Sequence, residues 1–135
     1  MDMLESNSEN GEMQTILVVE NEDMVRMLAC DILSSNGYQV LEAEDVNDAL
    51  EIADAFDGKI DLVLTDMVMP GMNVGELRTR ITNANPAASI VYMSGYSYEV
   101  IKKREEIASR EQFLKKPFPI DKLLGKVRAS LSMRD

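Results

Sequence analysis

The chain has 135 residues, 45% of them hydrophobic, which is enough for one domain around one core and leaves no length for a second. Its 14 basic and 24 acidic side chains give a formal charge of -10, so neither nucleic acid nor an anionic membrane surface is expected as the main partner. Histidine is absent and cysteine occurs once, as Cys30, which excludes Ser-His-Asp and Cys-His nucleophile schemes, imidazole metal ligation and an internal disulfide.

Any chemistry must therefore use carboxylates, hydroxyls, amides and lysines. The N-terminus has no basic segment leading into an apolar run, and no stretch reaches bilayer length, so a cytoplasmic protein without membrane attachment is expected. Met1 to Gln14 is polar, carries Asp2, Glu5, Glu9 and Glu12, and has neither helical nor strand period. It is predicted to be a disordered acidic tail, with the folded domain spanning 15–135.

Thr15 to Val19 reads as the first strand and runs into the polar cluster Glu20, Asn21, Glu22 and Asp23. Val25, Leu28, Ala29, Ile32 and Leu33 follow with helical spacing, and Gly37 is placed to terminate that helix. Tyr38 to Ala43 is predicted as the second strand, and Val46, Ala49, Leu50, Ala53 and Phe56 as the stripe of a second helix, broken by Gly58. Leu62, Val63 and Leu64 form an apolar run without alternation, as a strand covered on both faces does, and the run ends at Asp66 before Pro70-Gly71. Leu77, Ile81 and Ala84 mark a third helix that stops before Pro86, and Ser89 to Met93 a fourth strand delivering Ser94-Gly95. A fourth helix is expected between Tyr98 and Ala108, with a thin apolar stripe because Lys102 to Glu106 is charged throughout. Gln112 to Lys115 makes a short fifth strand, and Ile120, Leu123, Leu124, Val127 and Leu131 give a strongly periodic last helix.

Five alternations of strand and helix at this spacing predict an α/β fold, a parallel sheet with helices on both faces. In such a sheet the loops after every strand gather at one edge, where open α/β folds bind their ligands. That edge would receive Glu20 and Asn21, Asp66, Ser94 and Lys116 from four strands. Alone, each has an ordinary explanation as a turn residue, a helix-start acid or a solvated charge. Together at successive strand ends they suggest a charged site built from oxygen ligands, a hydroxyl and an ammonium.

Four segments carry a family likeness: Ile-Leu-Val-Val before an acidic patch, Asp-Leu-Val-Leu-Thr-Asp-Met-Val-Met-Pro-Gly-Met, Val-Tyr-Met-Ser-Gly-Tyr, and Phe-Leu-Lys-Lys-Pro-Phe. From Thr15 to Leu131 the sequence resembles a response regulator receiver domain of two-component signal transduction. The resemblance implies a flavodoxin-like, doubly wound five-stranded parallel sheet of order 2-1-3-4-5 with five helices. By position it implies that Asp66 is the phosphoacceptor, Ser94 the hydroxyl contacting the phosphoryl group, Lys116 the cation pairing with it, and Phe113 the aromatic switch residue. It also implies a Mg²⁺ site at Glu20, Asn21, Asp66 and the backbone carbonyl of Val68. The expected partners are a sensor histidine kinase or histidine phosphotransfer protein as donor and a downstream protein target, with dimerisation through the last two helices left open. Such a domain is a signalling element that assists its own aspartyl phosphorylation and dephosphorylation, not an enzyme acting on other substrates.

Two positions depart from the family pattern. Asn21 stands where the second acid after the first strand is usual, so the site is expected to bind Mg²⁺ more weakly; Glu22 or Asp23 could substitute, though both are placed to cap the first helix. The glycine expected after Asp66 is displaced to Val74-Gly75, which would strain Val74 if that turn required a positive φ. The alternative function is a phosphorylation-independent pseudo-receiver, an interaction module whose metal site Asn21 has disabled. A phosphatase or flavin carrier on the same fold is disfavoured, because the chain lacks a second strand-end Asp in the phosphatase arrangement and a hydroxyl- and glycine-rich loop after the first strand.

Overall fold

A computed structural model describes residues 13–67, 74–103 and 112–132. The elements, in chain order, are β1 (Thr15–Val19), α1 (Asp23–Ser35), β2 (Gln39–Ala43), α2 (Val46–Ala55), β3 (Leu62–Asp66), α3 (Val74–Ala84), β4 (Ser89–Ser94), α4 (Tyr98–Lys103), β5 (Phe113–Lys115) and α5 (Ile120–Ser132). The strands form one sheet in the order β2-β1-β3-β4-β5, and every pairing between them is parallel. The predicted architecture and strand order are therefore observed.

The apolar runs explain why the sheet is covered on both faces. Side chains alternate across a strand, so an unbroken run such as Leu62-Val63-Leu64 sends residues to both sides. Ile16, Val18, Leu62, Leu64, Val91 and Leu114 pack with Leu33 of α1 and Leu123, Val127 and Leu131 of α5. Leu17, Val19, Val63, Ile90 and Tyr92 pack on the opposite face with Val46 and Ala49 of α2 and Leu77 and Ile81 of α3.

Local chemistry sets the element ends. Gly37 has a φ of 91°, and the amides of Gly37 and Tyr38 donate to the carbonyls of Ser34 and Leu33, closing α1 in a Schellman arrangement. Asp45 caps α2 by accepting the Asp48 amide at 2.7 Å, while the Asp48 carboxylate accepts the Glu44 amide at 3.1 Å. At the sheet's amino edge the buried Asp61 carboxylate accepts the Thr15 amide at 2.8 Å and its carbonyl accepts the Ser89 amide at 3.0 Å, tying β1, β3 and β4 together.

Several expectations are corrected. Gln14, the last residue of the predicted tail, precedes β1, and its carbonyl accepts the Gln39 amide at 2.9 Å; the other tail residues, apart from the exposed Met13, lie outside the described ones. Phe56 follows the end of α2, Tyr38 precedes β2 as a buried residue, Gln112 precedes β5, and Ser94 is part of β4. Val74 and Gly75 begin α3, so neither sits in a positive-φ turn; residues 68–73 and 104–111 lie outside the described ones, which leaves the predicted end of the fourth helix at Ala108 there too. The apolar stripes of α1, α3 and α5 are shorter than predicted, because Leu28 is 49% exposed, Ile120 57% exposed, Val25 only half-buried and Ala84 exposed. Periodicity assigns these residues to an apolar face, but Val25 and Leu28 line a cavity beside Asp66 and are not packed in the core.

Candidate functional site

Parallel pairing brings the predicted residues to that carboxyl edge. Register matches Val19 with Thr65, so the next residues, Glu20 and Asp66, leave neighbouring strands side by side. Asp66 is matched with Met93 on the other side, and Ser94 with Lys115, which places Ser94 and Lys116 at the ends of the two following strands. The Lys116 amide donates to the Ser94 carbonyl at 2.8 Å, holding the lysine where the sheet stops.

Lys116 joins the acids. Its Nζ donates to Glu20 Oε1 at 3.0 Å and to Asp66 Oδ2 at 3.2 Å, and lies 3.7 Å from Glu22 Oε1. Glu20 is fully buried and Asp66 nearly so. Two carboxylates can be kept out of water at such short range only if a cation and hydrogen-bond donors compensate them. Glu20 Oε2 accepts the Glu22 amide at 3.0 Å, which supplies a second donor to the deeper acid. Burial pushes the Glu20 carboxyl above the usual carboxylate range, against the pull of the Glu22 amide and Lys116. Burial also works against the Lys116 charge, but its bonds and fields from Glu20 and Asp66 outweigh it, so the ammonium is held above the ordinary lysine value.

Ser94 is fully buried, and its Oγ accepts the Tyr96 amide at 3.0 Å, leaving the hydroxyl hydrogen to donate elsewhere. Phe113 is buried on β5 against the Tyr98 ring of α4, with centroids 5.9 Å apart at 60°. Asn21 is exposed on the loop after β1. Val68, the remaining predicted metal-site residue, lies outside the described residues. Neither acid thought to cap α1 does so through its side chain: Glu22 occupies the cap position with no such bond and faces Lys116, while Asp23 pairs with Arg26 at 2.7 Å.

A cavity of about 470 Å³ opens over this edge and combines Asp66 and Lys116 with the apolar Val25, Leu28, Pro117 and Phe118. Sequence reasoning missed that apolar wall, because Val25 and Leu28 carry the same spacing as core residues. It also missed Arg26, whose partners are set by the fold; only its place one turn into the helix after the acidic cluster hinted at a role. Cys30 takes no part: burial pushes its thiol up to about 12, so it is a packed helix residue and not a nucleophile.

Hard oxygen donors of this kind suit Mg²⁺, which prefers carboxylates and keeps several waters. Among the described residues no three acids are already gathered as a ready-made metal cage, and the Lys116 ammonium lies between Glu20 and Asp66.

A family model described as the response regulator receiver domain matches residues 16–128. The chain belongs to the receiver-domain family of two-component signalling. It is 35% identical over 121 residues to the sensor kinase CckA of Brucella abortus, covering 90% of this chain and 13% of that one. It is 29% identical over 122 residues to sporulation initiation phosphotransferase F of Bacillus subtilis, covering 90% and 96%. The receiver domain of a hybrid histidine kinase CckA superposes with a TM-score of 0.70 at 35% identity, covering 87% of this chain and 98% of that one. A receiver protein from Sinorhizobium medicae, 23% identical, shares the fold with a TM-score of 0.78 over 92% and 98% of the two chains. This receiver domain thus resembles both a small part of a large kinase and nearly all of a short phosphotransferase. No helix among its described residues is long and apolar enough to cross a membrane.

Proposed function

We propose that this receiver domain is a phosphoacceptor switch in which Asp66 takes a phosphoryl group from a phosphohistidine. The observation that carries this reading is the Lys116 ammonium held between the buried Glu20 and Asp66 at 3.0 and 3.2 Å. A carboxylate and a phosphoryl group repel, so attack needs positive charge fixed in advance where the phosphoryl oxygens will lie. As the bond from an Asp66 oxygen to phosphorus forms, the bond from phosphorus to the donor imidazole breaks, and the freed nitrogen takes a proton from solvent. Lys116 pairs with one phosphoryl oxygen, and the Ser94 hydroxyl donates to another.

A divalent cation such as Mg²⁺, held by Glu20, Asp66, Asn21 and the Val68 carbonyl, would neutralise the remaining charge. The chain contains no histidine, so the phosphohistidine belongs to a sensor kinase or histidine phosphotransfer protein outside this sequence. The apolar wall of the Asp66 cavity, continued on α1 by the exposed Met24 and Met27, suits the docking of that donor. An aspartyl phosphate carries about -1.5 to -2 charge, by comparison with other phosphorylated side chains, in place of the single charge of the carboxylate, and sets it beside Ser94. Movement of Ser94 toward it disturbs β4, which is paired with β5 through Tyr92 and Phe113, and through the Phe113–Tyr98 ring contact reaches α4. A downstream protein reading the α4 side is the expected receiver of that change.

The Mg²⁺ dependence of labelling by a small phosphodonor tests the reading. Asn21→Asp adds a third carboxylate to the cation site and is expected to lower the Mg²⁺ concentration for half-maximal labelling by about tenfold. No labelling of the wild type at any Mg²⁺ concentration, restored by Asn21→Asp, would instead identify a phosphorylation-independent interaction module.

A further inference from the structure

Arg26 is held by three groups, one on the loop after β1, one on α1 itself and one on β2. Its Nη1 donates to the Glu20 carbonyl at 2.8 Å, its Nη2 to Asp23 Oδ1 at 2.7 Å and its Nε to Glu42 Oε1 at 3.3 Å. The side chain is 15% exposed, whereas its carboxylate partners are 78% and 57% exposed. Exposed ion pairs contribute little by themselves, so Asp23 and Glu42 serve mainly to aim the guanidinium and balance its charge. The Glu20 carbonyl is the contact that bears on the site: it belongs to the residue whose carboxylate holds Lys116, and it leads directly into Asn21.

The loop after β1 is then fastened at four points. The Glu20 amide donates to the Ala43 carbonyl at 3.1 Å, and the Glu20 carbonyl accepts from Arg26. The Glu22 amide donates to the Glu20 carboxylate at 3.0 Å, and the Glu22 carbonyl accepts the Arg26 amide at 2.9 Å. Two of the four come from Arg26, one from its backbone and one from its side chain. A planar guanidinium can serve a carbonyl and two carboxylates in fixed directions at once, which an ammonium cannot do with the same geometry.

We infer that Arg26 is a positioning residue for the cation site, fixing the Glu20-Asn21 backbone so that the oxygen donors of this loop face Asp66. The inference rests on the reading of Asp66 as a Mg²⁺-dependent phosphoacceptor, and it matters more in this chain because Asn21 brings an oxygen without a charge. With less electrostatic attraction, affinity depends more on where the donors are held.

The test is calorimetric titration of the unphosphorylated protein with Mg²⁺, with thermal unfolding recorded for each variant. Arg26→Met is expected to weaken Mg²⁺ binding by about tenfold, as loss of supporting groups around metal ligands does. Charge alone predicts the opposite sign, since removing a cation near a cation site should tighten binding. Arg26→Lys keeps the charge and loses the fork, so it is expected to bind Mg²⁺ more weakly than wild type, and it replaces the Met variant if that one does not fold. Glu42→Gln, which spares the bond to the Glu20 carbonyl, is expected to bind like wild type. Unchanged or tighter binding by folded Arg26→Met and Arg26→Lys overturns the inference and leaves the phosphoacceptor reading standing. Absence of Mg²⁺ binding by the wild type itself overturns both.

Discussion

A Lys116→Met protein is expected to accept a phosphoryl group at least about 100-fold more slowly than the wild type at saturating phosphodonor and Mg²⁺. The magnitude follows from removing one fixed positive group from a site where charge develops during reaction. Lys116 is the ammonium shared by Glu20 and Asp66, and 14% side-chain exposure leaves little water to take over its role. Methionine keeps a similar length and apolar stem, so the loss is mainly one of charge. The same change should tighten Mg²⁺ binding, because the lysine no longer competes for the two carboxylates. Slower labelling together with tighter metal binding separates the loss of a catalytic cation from collapse of the site, which would weaken both. The rate of labelling by intact-mass time course and the Mg²⁺ titration supply the two readings; labelling at the wild-type rate would remove Lys116 from the transfer step.

The second large effect concerns the sheet that carries the site. Leu64 is fully buried in the central strand β3, matched in register with Val18 of β1 and Val91 of β4 and packed in the same cluster as Leu123 of α5. Leu64→Ala is expected to cost about 2–5 kcal/mol, combining lost transfer energy with a cavity that rigid neighbouring strands cannot close. Equilibrium urea unfolding should show a lower midpoint with an unchanged slope. A loss below about 1 kcal/mol would mean that this layer is not packed as described.

Element types were legible because most strands are built on a short apolar run and each helix carries an apolar stripe, whereas the strand order was implied by the resemblance to receiver domains. What periodicity reports is which residues share a face. It does not report what lies under that face, and Leu28 and Ile120 were misjudged for this reason: they lie in the opening turns of α1 and α5, and both are well exposed. The strand-end residues of the site were legible because parallel topology sends every strand's carboxyl end to one edge. Their roles are a different matter, since a sequence places Glu20 and Lys116 on loops 96 positions apart without showing that they touch at 3.0 Å.

Partners that depend on three-dimensional approach were the ones missed. Arg26 reaches Glu42 on β2, Asp61 ties β1 to β3 and β4, and Glu22 turns from the helix start toward Lys116. None of these pairs has a local spacing that a sequence pattern could detect. The resemblance to receiver domains supplied the expected roles of Asp66, Ser94 and Lys116, but it could not supply the consequences of Asn21, which is this chain's own departure.

The central claim, that Asp66 is a working phosphoacceptor, is tested most directly by intact-mass measurement of the wild type and Asp66→Asn after incubation with acetyl phosphate and Mg²⁺. One added phosphoryl group on the wild type and none on Asp66→Asn is the expected result. Equal labelling of both proteins, or none on the wild type at any Mg²⁺ concentration, would contradict it.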